Sequence, residues 1–237
     1  MPRFQLFEGD AYDVLDKLAP ASADLVYTSP APAFYEKQRG ETDPNILGTE
    51  QDTFRYMQHL LAILEKVIRV IKPKGSLWIQ IADYHHCSGT VMMVPEQIAL
   101  NLLQKGWLLI SPIIWSRGDR AVNVGGNNRR FLKDWEYLYW FVRSSDYYFN
   151  EDCGINRTSV FDYPYVKPER SSFVSGYPVE LVDIAIKSTC PENGTVLDPF
   201  AGTGTTGVSA LKNKRFFVGI EIDPILIPKI EKRLSNL

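Results

Sequence analysis

Thr195-Val196-Leu197-Asp198-Pro199-Phe200-Ala201-Gly202-Thr203-Gly204-Thr205-Thr206 carries the pattern that decides the fold. A short apolar strand runs into a tight turn with two glycines, and a helix begins directly after it. Glycines in such a turn let the backbone approach a ligand closely, and the helix start offers free N–H groups. Asp198 stands at the carboxyl end of the strand, where it can accept from an ammonium or a hydroxyl. The next strand, residues 216–220, ends at Glu221. A carboxylate at that point suits hydrogen bonding to ribose hydroxyls. The turn is shorter than the dinucleotide pattern GxGxxG and lacks the lysine of a phosphate-binding loop. A ribose-bearing ligand without a large phosphate is favoured, and an adenosyl cofactor fits.

Outward from this unit, strands and helices alternate. Residues 11–18 and 53–71 read as helices; on the second, Phe54, Met57, Leu60, Leu61, Leu64, Val67, Ile68 and Ile71 trace one face. Lys72-Pro73-Lys74-Gly75 stops it, and residues 76–82 (SLWIQIA) form a strand. Asp24-Leu25-Val26-Tyr27 reads as a buried strand ending at Thr28-Ser29-Pro30. Residues 94–104, 178–187, 205–211 and 225–234 are further helices. Residues 107–115, bulged or split at Pro112, and 136–143 are further strands. The alternation predicts an α/β fold with a mostly parallel sheet and helices on both faces. Trp78, Trp107, Trp115, Trp135 and Trp140 are read as core rather than as a stacking platform.

The chain has 237 residues, enough for one α/β domain with a modest insertion. Its composition, 45% hydrophobic and 23% charged, excludes a disordered or fibrous chain. No apolar run reaches the ~18 residues of a membrane helix, and the first ten residues lack the apolar core of a signal peptide. Cys87, Cys153 and Cys190 are odd in number and far apart, so neither a disulfide framework nor a zinc site is suggested. An intracellular, cytoplasmic setting is expected. The adjacent His85-His86-Cys87 reads as a loop after a strand, and no metal is expected. A net charge of −2 does not announce nucleic-acid binding, which would need a local basic surface.

Arg117, Arg120, Arg129 and Arg130 share one non-periodic stretch with Gly125-Gly126-Asn127-Asn128, and Lys133 and Lys167 could extend it. Alone, such a stretch is better read as a solvated loop than as a phosphate- and base-contacting surface. Asp83, at a strand end, is a further candidate for the base or cofactor side.

DPFAGTGTTGVSAL followed by FFVGIEID resembles the cofactor motif of the amino-group DNA methyltransferases, which use S-adenosylmethionine. Asp24-Leu25-Val26-Tyr27-Thr28-Ser29-Pro30 is similar to the family's catalytic loop and its strand, and Gly9-Asp10 matches just upstream. RVIKPKGSL and Tyr177-Pro178-Val179-Glu180-Leu181 resemble further family segments. With the catalytic loop near residue 29 and the cofactor turn near residue 200, the order resembles the permuted β class.

The resemblance implies a Rossmann-like, seven-stranded sheet in a single domain over 1–237, with a target-recognition region at about 116–173. It implies S-adenosyl-L-methionine over Asp198, Phe200, Ala201, Gly202, Gly204 and Thr205, with its ribose near Glu221 and its adenine near Asp10. Ser29 and Pro30 would orient the target amine, and Phe34 or Tyr35 would stack on the flipped base. Within this family context the four arginines become DNA contacts.

The loop departs from the family pattern Ser-Pro-Pro-aromatic: it reads Ser29-Pro30-Ala31-Pro32-Ala33-Phe34-Tyr35. An active bulged loop and an impaired one both remain open. The implied activity is site-specific methylation of duplex DNA in a restriction–modification system, at cytosine N4 in preference to adenine N6. A non-catalytic DNA- and cofactor-binding protein, or a methyltransferase acting on RNA or a small molecule, are the rivals. A homodimer and a cognate endonuclease remain open as partners.

Overall fold

The computed structural model describes residues 3–31, 46–50, 52–84, 90–118, 131, 134–164 and 177–237. The described strands are β1 Phe4–Glu8, β2 Ala23–Thr28, β3 Ile71–Ile81, β4 Leu108–Ser116, β5 Trp135–Val142, β6 Val160–Asp162, β7 Thr195–Asp198 and β8 Phe216–Glu221. They form one sheet in the order β1-β8-β7-β2-β3-β5-β4-β6. β5 pairs antiparallel with both β3 and β4, and all other described pairings are parallel. The α/β class is as expected, with one strand more than seven. The extra strand, β6, is three residues long and lies where the sequence has no clear period; its pairing with β4 defines it.

Helices cover both faces. On one, α1 Ala11–Lys17, α2 Thr53–Val70 and α3 Val94–Gln104 pack on a core that includes Val26, Leu77, Ile79 and Phe141. On the other, α4 Val179–Thr189, α5 Thr205–Lys212 and α6 Ile227–Ser235 pack on Leu25, Tyr27, Trp78 and Trp140. Adjacent strand residues point to opposite faces, so β2 divides Val26 from Leu25 and Tyr27. Each of these strand stretches therefore reads as continuously apolar rather than alternating.

Three details differ from the sequence reading. The α2 stripe is rotated: Phe54 is 70% exposed, and Tyr56, Met57, Leu60, Ile63, Leu64, Val67 and Val70 face inward. β3 begins at Ile71, directly after the helix, and a slip in pairing between Ala23 and Leu25 absorbs Lys72–Gly75. The irregularity in β4 lies between Leu109 and Ser111, not at Pro112, because the pairing with β5 advances two residues there against one.

Trp78, Trp107, Trp115 and Trp140 are core, as expected, while Trp135 is half-buried. Trp78 and Trp140 stack at 5.4 Å, and their ring N–H groups donate to Thr189 Oγ1 and Ser76 Oγ, both at 3.0 Å. No helix among the described residues is long and apolar enough to cross a membrane.

Candidate active site

The strand order sets the site. β1, β8, β7 and β2 are parallel neighbours, so their carboxyl ends open side by side. Glu8 pairs with Glu221, Asp198 with Gly219, and Leu197 with Val26. Asp10, Glu221, Asp198 and Ser29 therefore follow one another along a single sheet edge. Asp24, at the far end of β2, locks β2 against β7: its Oδ2 accepts from Thr195 N at 2.8 Å and pairs with Lys72 Nζ at 2.8 Å.

The glycine turn folds by local bonds. Ala201 N donates to Ile220 O (2.9 Å) and Gly204 N to Ala201 O (2.8 Å). Gly202 and Gly204 hold φ of +55° and +78°, a region open to glycine at little cost. Asp198 is fully buried and accepts from Phe200 N at 3.0 Å and from Thr206 Oγ1 at 2.6 Å. Burial pushes its carboxyl up to about 6, against these two hydrogen bonds, which favour the charged form. Glu221 accepts from Gly202 N at 2.7 Å and Asp223 N at 2.9 Å, one bond per oxygen. Burial pushes it up to about 7. Each oxygen keeps a further acceptor position, as the hydroxyls of a ribose require.

Asp10 caps α1 by accepting from Tyr12 N at 2.6 Å, and Gly9 N donates to Glu221 O at 3.0 Å. That bond ties Asp10 beside Glu221. Phe200 is half-buried, Ala201 and Thr205 are buried, and Thr203 O accepts from Arg233 at 2.9 Å. The glycines, the two carboxylates and the start of α5 thus suit an adenosyl group.

Beside this turn, β2 stops at Thr28. Ser29 is half-buried, Pro30 is buried, and the carbonyl of Ala31 accepts from the Tyr56 hydroxyl at 2.8 Å. Phe34 and Tyr35 lie outside the described residues, as do His85, His86, Cys87, Arg120, Arg129, Arg130, Lys133 and Lys167. Among the described residues, no group of His, Cys, Asp or Glu is placed to hold a metal ion.

Arg117, the one described member of the four arginines, is held against the sheet. It is 9% exposed, its Nη1 lies 3.1 Å from Glu136 Oε1, and its N–H donates to Asp134 O at 2.7 Å. The reason is that β4 and β5 are still neighbours at this point, so residue 117 is held at the sheet and not in a loop. Glu136 in turn belongs to a buried chain. Its Oε2 accepts from Gln80 Nε2 at 3.0 Å, and Gln80 Oε1 accepts from the Tyr27 hydroxyl at 3.1 Å. The Tyr27 ring lies 6.0 Å from that of Tyr177, whose hydroxyl is 3.0 Å from Thr206 Oγ1. The chain of contacts thus runs from Arg117 to the Asp198 carboxylate. Gln80 and Glu136 were readable as polar residues inside apolar strands. Tyr56 left no such signal. Asp83, at the end of β3, accepts from Met93 N and Val94 N at 3.0 and 3.1 Å and so caps α3.

The sequence model of the DNA methylase family that joins N6 and N4 enzymes matches residues 23–232. The chain belongs to this family. Among curated relatives, it is 28% identical to the type II methyltransferase M.XycI of Xanthomonas campestris pv. cyanopsidis and 27% identical to M.Cfr9I of Citrobacter freundii. Both alignments cover 98% of this chain and 87% of the relative. Among solved structures, the PvuII DNA methyltransferase (cytosine-N4-specific) superposes with a TM-score of 0.83 at 15% identity, covering 100% of this chain and 91% of that one. The Thermus thermophilus protein TTHA0409, a putative DNA modification methylase solved with S-adenosyl-L-methionine, gives 0.74 at 24% identity, covering 98% and 94%. These likenesses establish the DNA methylase fold, with the turn at Asp198 and the strand before Ser29 inside the matched residues.

Proposed function

We propose that this chain methylates the exocyclic amino group of a base in duplex DNA, at cytosine N4, with S-adenosyl-L-methionine as donor. One observation carries the reading: β2 and β7 are adjacent and parallel, so Ser29-Pro30 and the turn from Asp198 to Gly204 open onto one edge. Type II methyltransferases among the relatives support the modification role in a restriction–modification system. A restriction endonuclease cutting the same site is the partner this role implies. Cytosine rests on serine, rather than aspartate, at position 29.

The cofactor supplies an electrophilic methyl group. The chain's own residues do the rest. An exocyclic base nitrogen is a poor nucleophile because its lone pair is delocalised into the ring. Ser29 Oγ and the Pro30 carbonyl accept its two hydrogens and draw the nitrogen toward a tetrahedral state, which is catalysis by positioning and electrostatics. Glu221 accepts from the ribose hydroxyls, Asp10 stands on the adenine side, and the N–H groups of Gly202 to Thr205 line the turn. Phe34 or Tyr35 stacks on the flipped base. The amine's surplus proton leaves to solvent. Residues 116–173 form the recognition region of a single domain, and Arg120, Arg129 and Arg130 contact the duplex.

Nucleoside mass spectrometry of duplex DNA, incubated with the protein and the cofactor, tests this directly. N4-methylcytosine in the wild type, sharply reduced in Ser29→Ala, is the expected result. N6-methyladenine overturns the base and keeps the mechanism. Cofactor binding with no methylated nucleoside overturns the activity and leaves a non-catalytic binder.

A further inference from the structure

Ser29 lies just past the end of its strand. β2 ends at Thr28, so the sheet stops supporting the backbone one residue earlier. Pro30 fixes its own φ, but Ala31 has no ring, so its φ is not fixed by the chain. Among the described residues, a side chain from another element meets the loop at Ala31. Tyr56 lies in the first turn of α2, is 1% exposed, and donates its hydroxyl to the Ala31 carbonyl at 2.8 Å.

That anchor is itself fixed. Asp52 caps α2 by accepting from Arg55 N at 2.8 Å. Met57 and Leu60, next to Tyr56 on the helix, are buried against the sheet. Glu50 engages His59 Nδ1 at 2.6 Å and Gly48 N at 2.8 Å, which ties residues 46–50 to the same helix. Burial raises the Tyr56 hydroxyl well above the ordinary tyrosine value, with the Glu50 charge adding to it, so the group stays protonated and remains a donor.

We propose that Tyr56 is a positioning residue for the methyl transfer: through the Ala31 carbonyl it sets the orientation of the Ser29-Pro30 acceptors. It touches neither base nor cofactor. It supplies from α2 the restraint that a ring at position 31 would supply from within the loop. The role rests on the proposed activity, because it needs Ser29 and Pro30 to be the acceptors.

The test is Tyr56→Phe, alone and combined with Ala31→Pro, in single-turnover methyl transfer to duplex DNA. Cofactor and DNA affinities and the melting temperature are measured beside it. Tyr56→Phe is expected to slow transfer roughly tenfold, since small misplacements at a reacting centre have effects of this size and larger. Cofactor and DNA affinities should stay within about twofold, because neither contact involves Tyr56. Adding Ala31→Pro should return most of the lost rate, because the ring restores a fixed backbone at the tethered residue. A phenol that is merely satisfied in the core predicts no split between rate and affinity and no rescue. Undiminished transfer in Tyr56→Phe, a parallel loss of cofactor affinity, or failure of Ala31→Pro to restore the rate each overturns this role. Absence of transfer in the wild type overturns the proposed activity instead, and this role with it.

Discussion

Two regions meet at the candidate site and are built in opposite ways. At the cofactor turn the two carboxylates take their side-chain bonds from nearby residues, while Tyr177 and Arg233 reach the turn across 29 and 30 residues. Asp198 accepts from a group two residues on and another eight residues on, and Glu221 reaches back 19 residues to Gly202. At the target loop, and in the buried network that runs from Arg117 to Asp198, the bonds join separate elements. Tyr56 reaches Ala31 across 25 residues, Tyr27 reaches Gln80 across 53, and Gln80 reaches Glu136 across 56. A turn whose carboxylates are satisfied by their near neighbours has more of its geometry set locally. A loop wired to distant elements has its geometry set by the whole fold. Cofactor binding is therefore the more robust property, and base positioning the one more exposed to changes elsewhere.

The largest expected effect breaks the long-range side. Glu136→Ala leaves the Arg117 guanidinium buried without its carboxylate, at a cost of about 3–5 kcal/mol. Urea unfolding reads this. A DNA-affinity loss with unchanged stability would instead make Arg117 a surface contact.

Next is Ser29→Ala, expected to slow methyl transfer by roughly 100-fold, as loss of one transition-state partner does. Calorimetric cofactor affinity should not move, because the cofactor turn is wired without Ser29.

Gly204→Ala probes the local side. Its φ of +78° strains an alanine, and the new Cβ would stand 2.8 Å from Ile230 Cγ2. The cost is roughly 1–2 kcal/mol, read in the melting temperature, with cofactor affinity falling as the turn shifts.

The smallest effect sharpens the comparison through pH. Glu221 sits at about 7 in the unliganded protein against an ordinary value of 4.5. The folded state thus holds this proton more tightly than the unfolded chain does. Through this group the unliganded fold gains stability as pH falls from about 7 toward 4.5. Ribose hydroxyls donate to the ionised form, so cofactor affinity should weaken by several-fold from about pH 8 to about pH 6. Glu221→Gln should flatten that dependence, as followed by calorimetry at each pH.

The same division explains what could be read from the sequence. The strand, turn and helix around Asp198, and Glu221 one strand later, are a contiguous pattern with a local physical cause. The α/β class followed from alternation of apolar runs. By contrast, nothing near Arg117 in the chain shows that it stays beside β5, because the strand pairing that buries it depends on Trp135 and Asp134. Tyr56 escaped for a related reason. A Phe54-based stripe fits α2 nearly as well, and only the packed helix turns Tyr56 inward. β6 exists through one partner strand and has no signature of its own.

The strand order also governs when the molecule can assemble. β1 and β2 are made first, yet β8 and β7 stand between them in the sheet. Until residues 195–221 have left the ribosome, β1 has no described neighbour to pair with, and the nascent sheet has a gap two strands wide in its interior. A chain cut short before this segment loses the two interior strands that join β1 to the rest of the described sheet.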